Sequence, residues 1–168
     1  PYDLAVPYQG GPAHSDMADW LNHSVSIVSS GSHAIYVKPH PHERLLSISA
    51  QPIESFLDML HNGDSERVTI LPHLGVNLQS LLDVVDVFLC WNGSSIAELG
   101  AQGAKVIAAD DWARRNYPIG VFLPDSRSHY EAILRGEVEV EMTEGFADRC
   151  RAFVVYLTKA DFAIPYSL

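Results

Sequence analysis

The stretch VFLCWNGSSIAELG, residues 87–100, decides the fold, because an apolar run ends abruptly in polar residues and a helical pattern follows at once. The stretch AIYVKPHPHE, residues 34–43, has the same form, and its apolar part ends in a lysine and two histidines among prolines. Buried parallel strands have such continuous apolar sequences, and open α/β sheets bind ligands at the carboxyl ends of their strands. A cation, imidazoles and a helix start at two strand ends predict a site for an anionic ligand, most simply a phosphate.

Apolar runs of strand length alternate with helix-period segments along most of the chain. The predicted strands cover 4–8, 34–38, 68–71, 87–90 and 105–109, and the predicted helices cover 17–29, 53–60, 78–85, 95–102 and about 146–160, with a further helical segment near 130–134. Asp16 and Asn77 are the predicted N-caps of two of these helices. This order predicts parallel βαβ units. We therefore expect a Rossmann-like α/β fold, a parallel sheet with helices on both faces, in a single domain covering residues 1–168.

The composition is that of a globular protein, with 47% apolar and 19% charged residues among 168. Its formal net charge of −10 argues against general attraction to nucleic acid or to an anionic membrane, so a phosphate site must be local. Cys90 and Cys150 have neither disulfide nor metal spacing, and as buried thiols they indicate a reducing compartment. No apolar run is long enough to span a membrane, so we expect a cytoplasmic protein without a transmembrane segment.

The end of the predicted strand 34–38 carries the first candidate ligand groups, Lys38, His40 and Pro41. The prolines stiffen the turn and remove amide donors, which fixes where the remaining groups point. An imidazole or a backbone amide there can bond a phosphate oxygen, and Lys38 can supply positive charge. The alternative is a rigid loop with exposed histidines.

The turn after the predicted strand 87–90 carries the second set, Asn92, Ser94, Ser95 and Glu98. The serine hydroxyls and the helix amides can hold a phosphate. Ser95 and Glu98 also have capping-box spacing, in which Glu98 bonds back to the Ser95 amide. Glu98 can instead bond a ribose hydroxyl, as acids do in nucleotide-binding folds.

Three further features lie at predicted strand ends. His73 either touches a nucleotide base or is a plain loop residue, and the glycines of the loop 9–16 permit close backbone approach to a ligand. After the strand 105–109, acidic residues either accept a ligand hydroxyl or cap a helix. His40 and His42 form a pair that could bind metal with His73, Asp110 or Asp111, but their spacing matches no metal signature, and we expect no metal.

Three blocks of this sequence resemble the C-terminal half of GT-B glycosyltransferases, and most of all the bacterial capsule and lipopolysaccharide synthesis proteins that include the Kdo transferases. The blocks are residues 35–41, 81–86 and 94–107, within a likeness that covers about residues 34–120. CDP-glycerol transferases and bacterial GT-B sialyltransferases share a looser version of the pattern.

The resemblance implies that the chain is the donor-binding half of a glycosyltransferase. In that family the phosphate and nucleotide of the activated sugar are bound at the positions of His40, Pro41, Ser94 and Ser95, and the helix acid, here Glu98, lies near the nucleotide sugar. The donor would be CMP- or CDP-linked, without any other cofactor, and the product would be a bacterial surface polysaccharide.

GT-B enzymes need two Rossmann-like halves, so the second half, on this or another chain, and a glycan acceptor are the implied partners. The resemblance places the enzyme in the cytoplasm or peripherally at the inner membrane, and it assigns no catalytic residue. A nucleotide-sugar-binding module without catalysis and a metal-dependent hydrolase that uses the His-Pro-His motif are the two alternative functions.

Overall fold

The computed structural model describes residues 10–39, 66–72, 75–111, 115 and 117–159. In chain order the elements are α1 (Met17–Ser30), β1 (Ile35–Val37), β2 (Val68–Ile70), a 3₁₀ turn (Gln79–Leu81), β3 (Phe88–Cys90), α2 (Ser95–Ala101), β4 (Val106–Ala108), α3 (Arg127–Leu134) and α4 (Phe146–Thr158). The predicted strand 4–8 and the predicted helix 53–60 lie outside the described residues.

The strands form parallel pairs. β1 pairs with β2, with Ile35 opposite Val68, and β3 pairs with β4, with Phe88 opposite Val106. A parallel bridge from Ile107 to Phe122 extends the second pair by one position. Among the described residues the two pairs are separate two-stranded sheets. The chain is therefore a mixed α/β protein with parallel strand pairs, as the alternating sequence pattern predicts at the level of fold class.

Helix α1 packs against both strand pairs. Val25, which is 1% exposed, forms a buried cluster with Val37 of β1, and residues of β2 border that cluster. Nearer its start, the helix places Trp20 against Trp91, which directly follows β3, with ring centroids 5.6 Å apart. Because α1 buries apolar side chains against both pairs, it joins the ends of the two pairs in one packed structure.

The largest apolar cluster lies where α2 and α4 cross beside β4. The contact is close because Gly100 of α2 has no side chain: a Cβ there would lie 2.6 Å from the Cys150 Sγ and 2.7 Å from the Phe146 ring. Both of these side chains are buried. The missing side chain at Gly100 therefore allows the close approach of α2 and α4.

Several sequence predictions can be compared with these elements. The helices predicted at 17–29 and near 146–160 are present as α1 and α4. The helix predicted at 78–85 is wrong, since only a 3₁₀ turn forms, although Asn77 does accept a hydrogen bond from the Ser80 amide at 2.8 Å. Its apolar residues lie only partly buried at the rim of the core, and Val84 is 65% exposed. Packing of this kind gives a full helix little stabilisation.

Within the described part of the chain, no helix is both long and apolar enough to cross a membrane.

Candidate functional site

The carboxyl ends of β1 and β2 are joined by Lys38. Its ammonium donates a hydrogen bond to the Pro72 carbonyl at 3.0 Å, so the side chain crosses from the end of one strand to the end of the other. Pro39, the next residue, is fully buried and fixes the backbone behind the lysine. The lysine side chain is only partly buried. This end of the first pair therefore carries an anchored positive charge.

The carboxyl ends of β3 and β4 are joined by an amide and a carboxylate. The Asn92 Nδ2 donates to the Asp110 Oδ2 at 3.0 Å, and the Asp110 amide donates to the Trp91 carbonyl at 3.1 Å. Asp110 is 1% exposed, whereas Asn92 is half-buried. The structure thus brings the predicted site residue Asn92 together with Asp110, which follows β4.

The turn between β3 and α2 holds the other predicted site residues in this region. The predicted capping box is wrong: Ser94 is the N-cap of α2 in αR geometry, and no side chain caps the helix. Burial raises the pKa of the Cys90 thiol to about 12, and the neighbouring Ser95 hydroxyl opposes that rise. Ser94 and Glu98 are both exposed. Ser95 therefore lies beside Cys90, the last residue of β3.

The loop before α1 lies against the end of β4. A Cβ on Gly11 would sit 2.3 Å from the Ala109 carbonyl oxygen, so only glycine allows this approach. The loop closes on itself through a hydrogen bond from the Gly11 amide to the His14 carbonyl at 2.9 Å. It ends at Asp16, whose carboxylate accepts from the Asp19 amide at 2.8 Å and caps α1 as predicted. The loop 10–16 thereby borders the same edge as Asn92 and Asp110.

A row of three polar side chains, two buried histidines and a partly exposed glutamate, connects this loop with α1 and α3. His14 Nε2 lies 3.0 Å from His23 Nδ1, and His23 Nε2 lies 2.9 Å from a carboxylate oxygen of Glu131. The carboxylate can only accept, so His23 carries a proton on Nε2. With a neutral His23, its Nδ1 accepts from the Nε2–H of His14, whereas a protonated His23 donates from Nδ1 to His14 Nε2.

The charge state of His14 follows from its surroundings. Burial lowers the pKa of His14 to about 4, and the facing His23 and Arg127 lower it further against the opposing effect of Asp19. Burial acts to raise the pKa of Asp19, but hydrogen bonds from Arg127 and Ser15 hold that pKa below its usual range. His14 is consequently neutral at physiological pH.

The ring of Tyr130, in α3, packs against the rings of His14 and His23. Its hydroxyl accepts from Trp20 Nε1 at 2.9 Å and lies 2.6 Å from the Ser24 Oγ. Because the Ser24 hydroxyl donates to the Trp20 carbonyl at 2.7 Å, the tyrosine donates to Ser24. Burial raises the pKa of Tyr130 well above its usual value, so this hydroxyl stays protonated.

The remaining predicted site residues, His40, Pro41 and His73, lie outside the described residues, as does His42 of the possible metal pair. Across the described ranges, no group of three or more His, Cys, Asp or Glu side chains is placed to hold a metal ion. A depression of about 290 Å³ is lined by Gly103, Ala104 and residues 142–148, at the amino end of α4. It includes none of the predicted site residues.

Sequence reasoning missed the row formed by His14, His23 and Glu131. The residues His23 and Glu131 are 108 positions apart, and neither belongs to a motif. The signal for Asp110 was present, since an acid directly after a predicted strand can accept a hydroxyl, but nothing in the sequence paired it with Asn92.

No protein family, curated protein or solved structure matches this chain.

Proposed function

We propose that this chain binds a nucleotide-activated sugar or polyol phosphate, and that it acts as the donor-binding half of a glycosyltransferase that builds a bacterial surface polysaccharide. The observation that carries the proposal is the chemistry of the strand ends: Lys38 joins the ends of β1 and β2, and Asn92 with Asp110 joins the ends of β3 and β4. In open α/β sheets ligands bind outside the carboxyl ends of the strands.

The arrangement of the elements supports a Rossmann-like sheet. Both pairs are parallel, and α1 packs on both of them. A doubly wound sheet built from these pairs needs one more strand between them. The chain has a sequence-predicted strand at 4–8, before α1 and outside the described residues. We propose this Rossmann-like order, and with it one half of a GT-B architecture.

The chemistry proposed for the site is electrostatic. A nucleotide leaving group gains negative charge as the bond to the sugar breaks, and preorganised cations and donors stabilise that charge. Lys38 supplies the cation among the described residues, with His40, Ser94 and Ser95 as the further proposed donors from the sequence pattern. This scheme uses no metal and no cofactor besides the donor itself. A CMP- or CDP-linked donor is proposed from the resemblance to Kdo transferases and CDP-glycerol transferases.

A thermal-shift series with CMP, CDP, UDP, GDP and ADP tests the proposal, because a ligand that binds the folded state raises the unfolding temperature. We expect CMP or CDP to stabilise the chain most. Lys38→Gln should abolish most of that shift.

Lys105→Gln is the matched control for the Lys38 variant. Lys105 precedes β4 at the opposite edge of the pair and is half-exposed, 3.1 Å from Glu139. This control should keep the full shift. Stabilisation by none of the five nucleotides, or equal effects of the two variants, would contradict the proposal.

A further inference from the structure

The amide of Asn92 has a fixed orientation. Its Nδ2 donates to the carboxylate of Asp110, which is 1% exposed. An ionised carboxylate offers only acceptors, so the asparagine must turn its NH₂ group toward Asp110 and its carbonyl oxygen away from it. A flipped amide would bring its own oxygen against a buried carboxylate, which is repulsive. Asp110 therefore selects which end of the Asn92 amide a ligand meets.

This orientation determines what Asn92 can bind. The outward group is the carbonyl oxygen Oδ1 of a half-buried side chain, and a carbonyl oxygen only accepts hydrogen bonds. A phosphate group at neutral pH also presents acceptors, so the two do not pair. A hydroxyl or an amino group has the donor that Asn92 requires.

The other strand pair has the opposite character, because the ammonium of Lys38 lies across its end. We infer that the two strand pairs contact different parts of the ligand: Lys38 at the end of β1 and β2 takes the phosphate, and Asn92 Oδ1 beside the end of β3 takes a hydroxyl of the sugar or polyol part. Asp110 is the positioning residue that holds Asn92. This inference rests on the proposed function and names the orientation of the ligand in that site.

Isothermal titration calorimetry of paired ligands tests the division. The probes are CMP against CMP-N-acetylneuraminate, and CDP against CDP-glycerol; the second member of each pair adds the sugar or polyol part and turns the terminal phosphate into a diester, so each variant is compared with the wild-type chain on the same ligand. Asn92→Leu should weaken the sugar- or polyol-linked ligand about tenfold, the equivalent of one hydrogen bond, and leave the bare nucleotide within about twofold. Lys38→Gln should weaken both members of a pair alike.

The outcomes separate the inference from the proposed function. Binding of at least one nucleotide by the wild-type chain upholds the proposed function, and binding of none overturns both. Equal loss for both members of a pair in Asn92→Leu, or no loss in either, overturns the inference alone.

A measurement on the wild-type chain stands independently of how the variants fold. The side-chain NH₂ signals of Asn92 in ¹⁵N–¹H spectra should stay in place when CMP or CDP is added, because that group faces Asp110. A large shift of these signals with the bare nucleotide means that Asn92 donates to phosphate, and it overturns the inference. In Asp110→Asn, which keeps the size but removes the carboxylate, the same signals should move without ligand, and the affinity should fall only for the sugar- or polyol-linked member.

Discussion

The buried His14 makes folding stability depend on pH in a way that can be calculated. Its pKa is about 4 in the folded chain against an ordinary value of 6.5, because burial disfavours the charged ring. Between pH 6.5 and 4, His14 is protonated in the unfolded chain but neutral in the folded chain. The free energy of unfolding therefore falls as the pH falls through this range, and above pH 6.5 His14 does not change it. The full effect is about 3 kcal/mol, of which about 2 kcal/mol is already lost at about pH 5.

Urea unfolding followed by tryptophan fluorescence measures this dependence at about pH 7.5 and at about pH 5. His14→Gln should lower stability at the higher pH, since it breaks the contact with His23, yet it should remove most of the further loss on acidification. His33→Gln is the matched control, because His33 is exposed and should leave the wild-type slope unchanged. The reasoning is refuted if His14→Gln and the wild-type chain lose the same free energy of unfolding between the two pH values.

Three further substitutions test the packing, each by urea unfolding. Gly100→Ala should lower the free energy of unfolding by about 1–3 kcal/mol, because the new Cβ would lie 2.6 Å from the Cys150 Sγ. Tyr130→Phe should cost about 1–3 kcal/mol, since it leaves the Trp20 indole N–H, now bonded at 2.9 Å, buried without its acceptor. Asp16→Ala should cost about 1 kcal/mol through loss of the N-cap of α1. Stability equal to wild type in any of the three would contradict the contact concerned.

The strands and the longer helices could be predicted from the sequence because local signals specify them. The helix α1 has apolar residues at helical spacing behind an aspartate cap, and both features are present in the structure. The predicted strands at 34–38, 68–71, 87–90 and 105–109 each contain an observed strand of three residues. At residues 78–85 the helical spacing of apolar residues gave a wrong prediction. This segment forms only a 3₁₀ turn, and its apolar side chains pack at the rim of the core.

The candidate site could be predicted only in part, because contacts between distant segments leave no local pattern. The turn with Asn92 was identified from the abrupt end of an apolar run, which is a local signal. Its pairing with Asp110 depends on the parallel register that puts Cys90 opposite Ala108. The same limitation hides the row that ends on His14, which needs α1 and α3 to pack together.

The acidic balance of the chain makes the position of a single lysine important for binding a phosphate. With a net charge of −10, the long-range field repels anions, so a phosphate is held best where a cation is close and partly shielded from water. Lys38 meets that condition at the end of β1 and β2. Beside the end of β3, Asn92 is held by the buried Asp110 so that its carbonyl oxygen is directed away from that carboxylate and can accept from a hydroxyl. The helix α1 packs against Val37 and Trp91, the residues that directly precede Lys38 and Asn92. A cation at the end of one strand pair and an acceptor beside the end of the other suit the proposed ligand, which is a phosphate at one end and a polyol at the other.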